Sequence, residues 1–324
     1  HLPATSRSVL MYRYRRLPEA IKYAAEFGCQ GAMFPWQSGS SGREETQVIH
    51  LNPVSGEWGP DYSSLQRHVS LAIAFNLWQY YHITDDLRFM ESYGLEMFLE
   101  ICRFWASKCK QDPSSGRFSI DKVMGPDEFH EKYPKAKEGG LKDNAYTNLM
   151  VSWAFNHLFI LLSAVSPEVK KNMLEKTGLD DTELESWKEM ASKLNLVISD
   201  EGIIAQYDGY FALKELDWDG YREKYGNIYR LDRLLKAEGL SSDEFKVAKQ
   251  ADTLMTFYNL DKIHVDGLLS GLGYKSGLPD DYLERNLDYY LARTSHGSTL
   301  SRVVHARLAV MAGDSDLSWK LFSD

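Results

Sequence analysis

The stretch VMGPDEFHEKYP, residues 123–134, sets Asp127 and Glu128 side by side behind a Gly-Pro turn, with His130 two places on. Adjacent carboxylates repel each other, and a loop has little packing use for them. One of the two, held protonated near neutral pH by burial or by its neighbour's charge, would be a general acid. The structural alternative is that Glu128 caps a helix or pairs with Lys132, and residue types alone leave both open. A second group is His296, Ser298 and Thr299 in HGSTLS. They open a helical pattern, STLSRVVHARL, whose first N–H groups and hydroxyls suit an anion, or serve as an ordinary Ser/Thr cap. A third pair, Lys249 and Gln250 in DEFKVAKQAD, reads from pattern alone as a solvated helix face.

The elements that must position these groups are mostly helices. YSSLQRHVSLAIAFNLWQYYHIT puts Leu65, Val69, Ile73, Leu77 and Tyr80 on one stripe, with Asp61 as the expected N-cap. DDLRFMESYGLEMFLEICRFWASKC follows after a short turn, which makes an antiparallel hairpin of the two. DNAYTNLMVSWAFNHLFILLSAV, PEVKKNMLEKTG, DDTELESWKEMASKLN, SSDEFKVAKQADTLMTFYNL, LPDDYLERNLDYYLART and STLSRVVHARLAVMAG continue the pattern. That gives roughly ten helical segments, with strand-like pieces at GRFSI and GIIAQYDGYF between them. No fixed repeat length and no Gly/Ser linker appears, so one α-helical domain over 1–324 is the expectation. Two loops, FPWQSGSSGREETQVIHLNPVSGEWGPD and QDPSSGRFSIDKVMGPDEFHEKYPKAKEGGLKD, exceed what helical hairpins need, and loops of that length tend to be functional. Their aromatic faces, amides and carboxylates suit sugar rings and hydroxyls.

With 324 residues, a formal net charge of −9 and 44% hydrophobic residues, the chain can bury a sizeable core. Its acidity argues against nucleic acid or an anionic membrane as partner. Cys29, Cys102 and Cys109 have neither metal nor disulfide spacing, no metal site is expected, and this usage fits a reducing, cytoplasmic setting. No apolar run reads as long enough to span a bilayer. His68, His82, His157 and His305 fall on helical stripes and read as packing or surface residues.

Four stretches, GAMFPWQSGSSGREE, MGPDEFHEKY followed by DNAYTN, KQAD at 249–252, and RTSHGSTLS at 293–301, stand in an order that resembles the catalytic domain of glycoside hydrolase family 65. This is the family of maltose, trehalose and kojibiose phosphorylases. The resemblance implies an all-α, (α/α)6-barrel fold, here expected to be incomplete at both ends and lacking an early Phe-Trp-Asp motif. It implies that Glu128 is the general acid, with Asp127 beside it orienting substrate. It carries Lys249 and Gln250 over to hydroxyls of the glucosyl ring, and Trp36 to the mouth where the acceptor sugar sits, with Glu44 or Glu45. His296, Ser298 and Thr299 match its phosphate loop, with a charge-assisted bond expected from His296. The implied reaction is inverting phosphorolysis of an α-linked glucose disaccharide, with inorganic phosphate as co-substrate and no cofactor. Inverting hydrolysis is the alternative, with a base among Asp280, Asp281, Glu284 and Asp288. A non-catalytic carbohydrate-binding scaffold is a further one. A homodimer of the full-length protein is compatible with the resemblance.

Overall fold

The computed structural model describes residues 2–323. Its helices are α1 (Pro3–Arg15), α2 (Leu17–Glu26), α3 (Val69–Thr84), α4 (Leu87–Phe89), α5 (Leu95–Lys108), α6 (Ala145–Ala164), α7 (Pro167–Thr177), α8 (Asp181–Lys193), α9 (Trp218–Tyr225), α10 (Leu231–Ala237), α11 (Leu254–Gly271), α12 (Tyr282–Leu291), α13 (Thr299–Met311) and α14 (Ser315–Ser323). A π-helical turn, Met90–Gly94, joins α4 to α5. Two short antiparallel pairs lie in the long loops: β1 (Ile49–Leu51) with β2 (Trp58–Pro60), and β3 (Cys109–Gln111) with β4 (Phe118–Ile120). The chain is therefore all-α with long, strand-bearing loops, as the periodicity predicts.

The chain divides into two compact units, each drawn from three separate stretches of sequence. The first comprises residues 1–46, 67–119 and 150–194. Its core is aromatic: Phe98, Phe104, Trp105, Phe155 and Trp187 are all buried. α5 supplies many of these side chains, which fits its nearly continuous apolar sequence. α6 has the length and hydropathy of a membrane span by composition alone, against the expectation that no such run exists. Two-thirds of that window, 67%, is buried within the protein, which suits a core helix equally well.

The second unit comprises residues 47–66, 120–149 and 195–324 and carries the residues with chemistry. Phe257, Tyr282, Leu283, Leu287, Val304 and Leu308 pack α11, α12 and α13 together. Beside them, Phe129, Leu216, Leu231, Leu235 and Val247 form a smaller apolar cluster, closed by Trp218, Tyr221, Leu240 and Phe245. In β1–β2, His50 stands opposite Gly59.

Three local expectations are corrected. Asp61 does not cap α3, which starts at Val69; its Oδ1 accepts from Ser63 N–H at 2.9 Å, at the start of a 3-10 turn, Ser63–Leu65. The residues preceding Leu254 are not helical, so Lys249 and Gln250 lie on an irregular segment. Ala248 N–H donates to Arg293 O and Ser295 N–H to Ala248 O, both at 2.8 Å, and this parallel pairing takes the backbone groups a helix would use. GIIAQYDGYF forms no strand; it holds one bridge, Ile198 to Ile204, and a 3-10 turn at Tyr210–Ala212.

Candidate active site

Glu128 sits at φ +68°, in the left-handed region, a conformation that costs a non-glycine residue about 1–2 kcal/mol. Its neighbours hold it there. Phe129 is buried in the small apolar cluster, and Asp127 is 2% exposed. Asp127 N–H donates to Asp252 Oδ2 at 3.2 Å, while Asn144 Nδ2 donates to Asp252 Oδ1 at 2.8 Å. A Cβ on Gly125 would stand 2.0 Å from that same Asp252 Oδ2, so the turn needs a glycine where backbone and carboxylate meet. Gln250 Nε2 donates to Pro126 O at 2.6 Å and closes the turn from above. With both flanking side chains turned inward, Glu128 turns outward, its side chain 29% exposed.

The buried carboxylate of Asp127 is consumed within the protein. Oδ1 accepts from Lys249 N–H at 2.6 Å and Oδ2 lies 2.9 Å from His130 Nδ1. His130 Nε2 lies 2.9 Å from Phe245 O, which can only accept. An imidazole placed between a carbonyl and a carboxylate satisfies both best as the imidazolium. Burial opposes that charge, but the Asp127 hydrogen bond and charge outweigh it and raise the His130 pKa. Asp127 thus fixes the acid loop to Lys249 from within. Asp252 had no role in the sequence reading. Burial first, and then the Asp127 charge, push its pKa up to about 7.

Lys249 joins the acid loop to the HGSTLS loop. Its Nζ contacts Glu128 Oε2, and its carbonyl accepts from Gly297 N–H at 2.9 Å. A Cβ on Gly297 would stand 2.1 Å from Tyr229 O. His296 is held at φ +54°, with Nδ1 2.9 Å from Ser301 Oγ. Burial, followed by the charges of His305 and Arg302, brings its pKa down to about 4. His296 is therefore a neutral imidazole near pH 7. Ser298 is the N-cap of α13, its Oγ accepting from Leu300 N–H at 3.3 Å. Thr299 is the first residue of that helix and exposed.

Two clefts flank this junction within the second unit. One, of about 720 Å³, is lined by Glu128 and Lys249, by the loop after them to Lys135, by the β1–β2 hairpin and by α10. The other, of about 390 Å³, is lined by His296, Ser295 and the segment ending at Tyr229. Glu131 lines the larger cleft, and burial, then the charges of Asp243 and Asp61, push its pKa up to about 8. Neither Glu131 nor Asp252 is separable in sequence from the many surface carboxylates. Trp36 belongs to the first unit, where its ring packs edge-on against His68 at 5.4 Å. There Glu44 accepts from the N–H groups of Trp36, Gln37 and Thr46 and from the hydroxyls of Thr46 and Tyr23, so it organises its own loop. Among the described residues no group of three or more His, Cys, Asp or Glu could hold a metal ion.

This constellation can do acid chemistry at Glu128 and offers amide and hydroxyl donors at the start of α13. Known proteins are similar to this chain. A trehalose 6-phosphate phosphorylase of Lactococcus lactis subsp. lactis (strain IL1403) is 50% identical over 314 residues, 97% of this chain and 39% of that protein. A kojibiose phosphorylase of Thermoanaerobacter brockii is 32% identical over 337 residues, 99% of this chain and 38% of that one. A solved structure, a candidate kojibiose phosphorylase from the human microbiome, superposes with a TM-score of 0.75 at 25% identity, covering 98% of this chain and 41% of its own. The chain spans about two-fifths of the length of these relatives. The (α/α)6-barrel fold class of the sequence reading accords with that likeness. The glycosyl hydrolase family 65 central catalytic domain matches residues 1–324, and the chain belongs to that family.

Proposed function

We propose that the protein cleaves an α-linked glucose disaccharide by inverting phosphorolysis, releasing β-glucose 1-phosphate and a free acceptor sugar. The observation that carries this reading is the junction at Lys249, which ties the acid loop and the HGSTLS loop together through one residue. In this reading Glu128 protonates the glycosidic oxygen as the bond breaks. Lys249 is shared: a glucosyl hydroxyl competing for its ammonium frees Glu128 Oε2 to face that oxygen. Gln250 and Asp127 keep the loop in place. Phosphate attacks the anomeric carbon from the opposite face, held by His296, by the Ser298 and Thr299 hydroxyls and by the first N–H groups of α13. A neutral His296 donates without adding charge, and Arg302, whose guanidinium lies 3.2 Å from Tyr229 Oη, supplies a cation on the same helix. No cofactor enters this scheme. The reading places the protein in the cytoplasm, where sugar phosphates are made and used.

The relatives' names differ mainly in the acceptor, so the linkage belongs to the acceptor side of the cleft. The test is to incubate the whole protein with trehalose, trehalose 6-phosphate, maltose, kojibiose and nigerose, with and without phosphate. Cleavage that requires phosphate and saturates with it supports the reading. Release of free glucose at the same rate without phosphate replaces it with inverting hydrolysis, for which a carboxylate must activate water.

A further inference from the structure

Six carboxyl groups line the Glu128 cleft, and five of them are held within the protein. Glu128 contacts Lys249, Asp232 pairs with Arg230 at 2.6 Å, and Glu244 pairs with Lys214 at 2.8 Å. Asp243 accepts from the N–H groups of Glu131 at 2.9 Å and Lys132 at 3.2 Å, and from the Ser241 hydroxyl at 2.8 Å. Asp61 accepts from Gln47 at 2.8 Å and from Ser63 N–H at 2.9 Å. The sixth is Glu131. It is half-buried, its carboxyl oxygens reach the cleft, and among the described residues they have no hydrogen-bond or ion-pair partner. Its backbone is nonetheless fixed on both sides: the N–H donates to Asp243 Oδ1, and the carbonyl accepts from Gly140 N–H at 2.7 Å. A polar group without a partner, carried on an anchored backbone at a cleft wall, is placed for something that enters the cleft.

The surroundings set the form of that group. Asp243 acts on it from the 3-10 turn Ser242–Glu244, Asp61 from the end of the hairpin, and Asp232 and Lys236 from α10. His50, the hairpin's other titratable side chain, is engaged between Lys236 and Asp61, each at 3.4 Å. Burial first, then Asp243 and Asp61, push the Glu131 pKa up to about 8, with Lys236 opposing them. A neutral carboxyl offers one donor and one acceptor, which complements two adjacent hydroxyls of a pyranose. Three residues separate Glu131 from Glu128, a span of at most about 11 Å, so a sugar whose glycosidic oxygen meets Glu128 comes within reach of both. His296, Ser298 and Thr299 do not line this cleft. Phosphate attacks from the face opposite the leaving group, so the sugar on the Glu131 side is the one that leaves.

We infer that Glu131 holds the acceptor sugar, its carboxyl spanning two adjacent ring hydroxyls while Glu128 protonates the oxygen that joins acceptor to glucosyl ring. Glu131 is then a specificity-determining residue, selecting acceptors that carry a vicinal pair of hydroxyls toward this wall. Below about pH 8 its O–H is present to donate; above it the donor is lost, and a carboxylate joins those of Asp243, Asp61 and Asp232. The inference rests on the phosphorolysis reading for the sugar's role as acceptor, while binding tests Glu131 independently of turnover.

The experiment follows synthesis from β-glucose 1-phosphate by the whole protein, with glucose and glucose 6-phosphate as probe acceptors, at pH 7 and pH 9. Wild type, Glu131→Ala and Glu131→Gln are compared, each checked for its thermal midpoint, and binding of the same two acceptors is measured by calorimetry. Glu131→Ala should raise the KM and Kd for the acceptor roughly 5- to 100-fold, the range for two neutral hydrogen bonds, and leave the KM for β-glucose 1-phosphate as it was. Glu131→Gln, whose amide keeps a donor and an acceptor, should recover most of that affinity at pH 7. Between pH 7 and pH 9 the wild-type KM for the acceptor should rise roughly tenfold as the carboxyl ionises, while that of Glu131→Gln stays flat. A wild-type acceptor KM in Glu131→Ala, or equal losses for acceptor and β-glucose 1-phosphate, overturns the inference and leaves the phosphorolysis reading standing. So does a rise with pH that persists in Glu131→Gln, and so does failure of both acceptors to bind the wild type. If an acceptor binds through Glu131 but β-glucose 1-phosphate is not used, the sugar-holding role stands and the phosphorolysis reading fails.

Discussion

Gly297→Ala is the smallest change that should separate the two halves of the proposed site. Gly297 lacks a positive φ, so alanine meets no backbone strain there, only neighbours. Its Cβ would lie 2.1 Å from Tyr229 O and 3.1 Å from Lys249 Cγ. The first neighbour is backbone and cannot rotate away. Since a Cβ is essentially never seen closer than 3.0 Å to another heavy atom, the loop or the Tyr229 segment must shift by roughly 1 Å. That shift strains the Gly297 N–H to Lys249 O bond, which carries the register between the two loops. A 1 Å misplacement near reacting groups costs about 10²-fold in rate, and overpacking of this kind costs about 1–3 kcal/mol of stability. The assay is kcat/KM for phosphate with the disaccharide saturating, alongside urea unfolding. Gly267→Ala is the control: it lies in α11 with nothing within 4 Å of its Cβ, so it should be neutral or slightly stabilising. A Gly297→Ala protein with wild-type kcat/KM for phosphate would refute the reasoning, because the Lys249 register would then be immaterial to phosphate use.

Further outcomes follow from the same geometry. Glu128→Gln keeps the shape and removes the proton, so turnover of the disaccharide should drop at least ~10²-fold, while a glucosyl fluoride, which needs no acid, should be affected less; near-wild-type turnover would exclude the acid role. His296→Ala and Ser298→Ala should each raise the KM for phosphate more than that for the disaccharide, by about 1.5–3 kcal/mol per hydrogen bond to the anion, and the reverse pattern would move them to the sugar site. Asp252 holds a proton in the folded protein that the unfolded chain releases between its ordinary value of 3.8 and about 7. Its contribution to stability should therefore decline as pH rises through that window, and Asp252→Asn should flatten the decline; parallel stability curves for the two proteins from pH 4 to 8 would contradict the assignment. His296 works in the opposite sense, because its folded value near 4 lies below the ordinary 6.5, so its contribution is lost as pH falls through that range; His296→Gln should resist mild acid better than the wild type.

The helices were legible in sequence because they rest on local signals. A long apolar run marks α6 and apolar spacing marks α13, whereas the Gly-Pro turn before two carboxylates hid the packing role that buried Asp127 takes. The segment carrying Lys249 was illegible for the converse reason. DEFKVAKQAD has helical composition, and what unwinds it is pairing with Arg293 and Ser295, some forty residues away. Asp252 and Glu131 were missed because their chemistry comes from burial, which a sequence of 46 acidic residues does not reveal.

The central claim is that phosphate, held at the start of α13, displaces the acceptor directly while Glu128 supplies the proton. The most direct measurement is the anomeric configuration of the first sugar phosphate formed, read by proton NMR in the opening minutes of reaction with an α-linked glucose disaccharide and phosphate. A single displacement from the face opposite the leaving group predicts β-glucose 1-phosphate alone, growing in step with the free acceptor. Formation of the α-anomer from the outset, or of free glucose with no sugar phosphate, would contradict it.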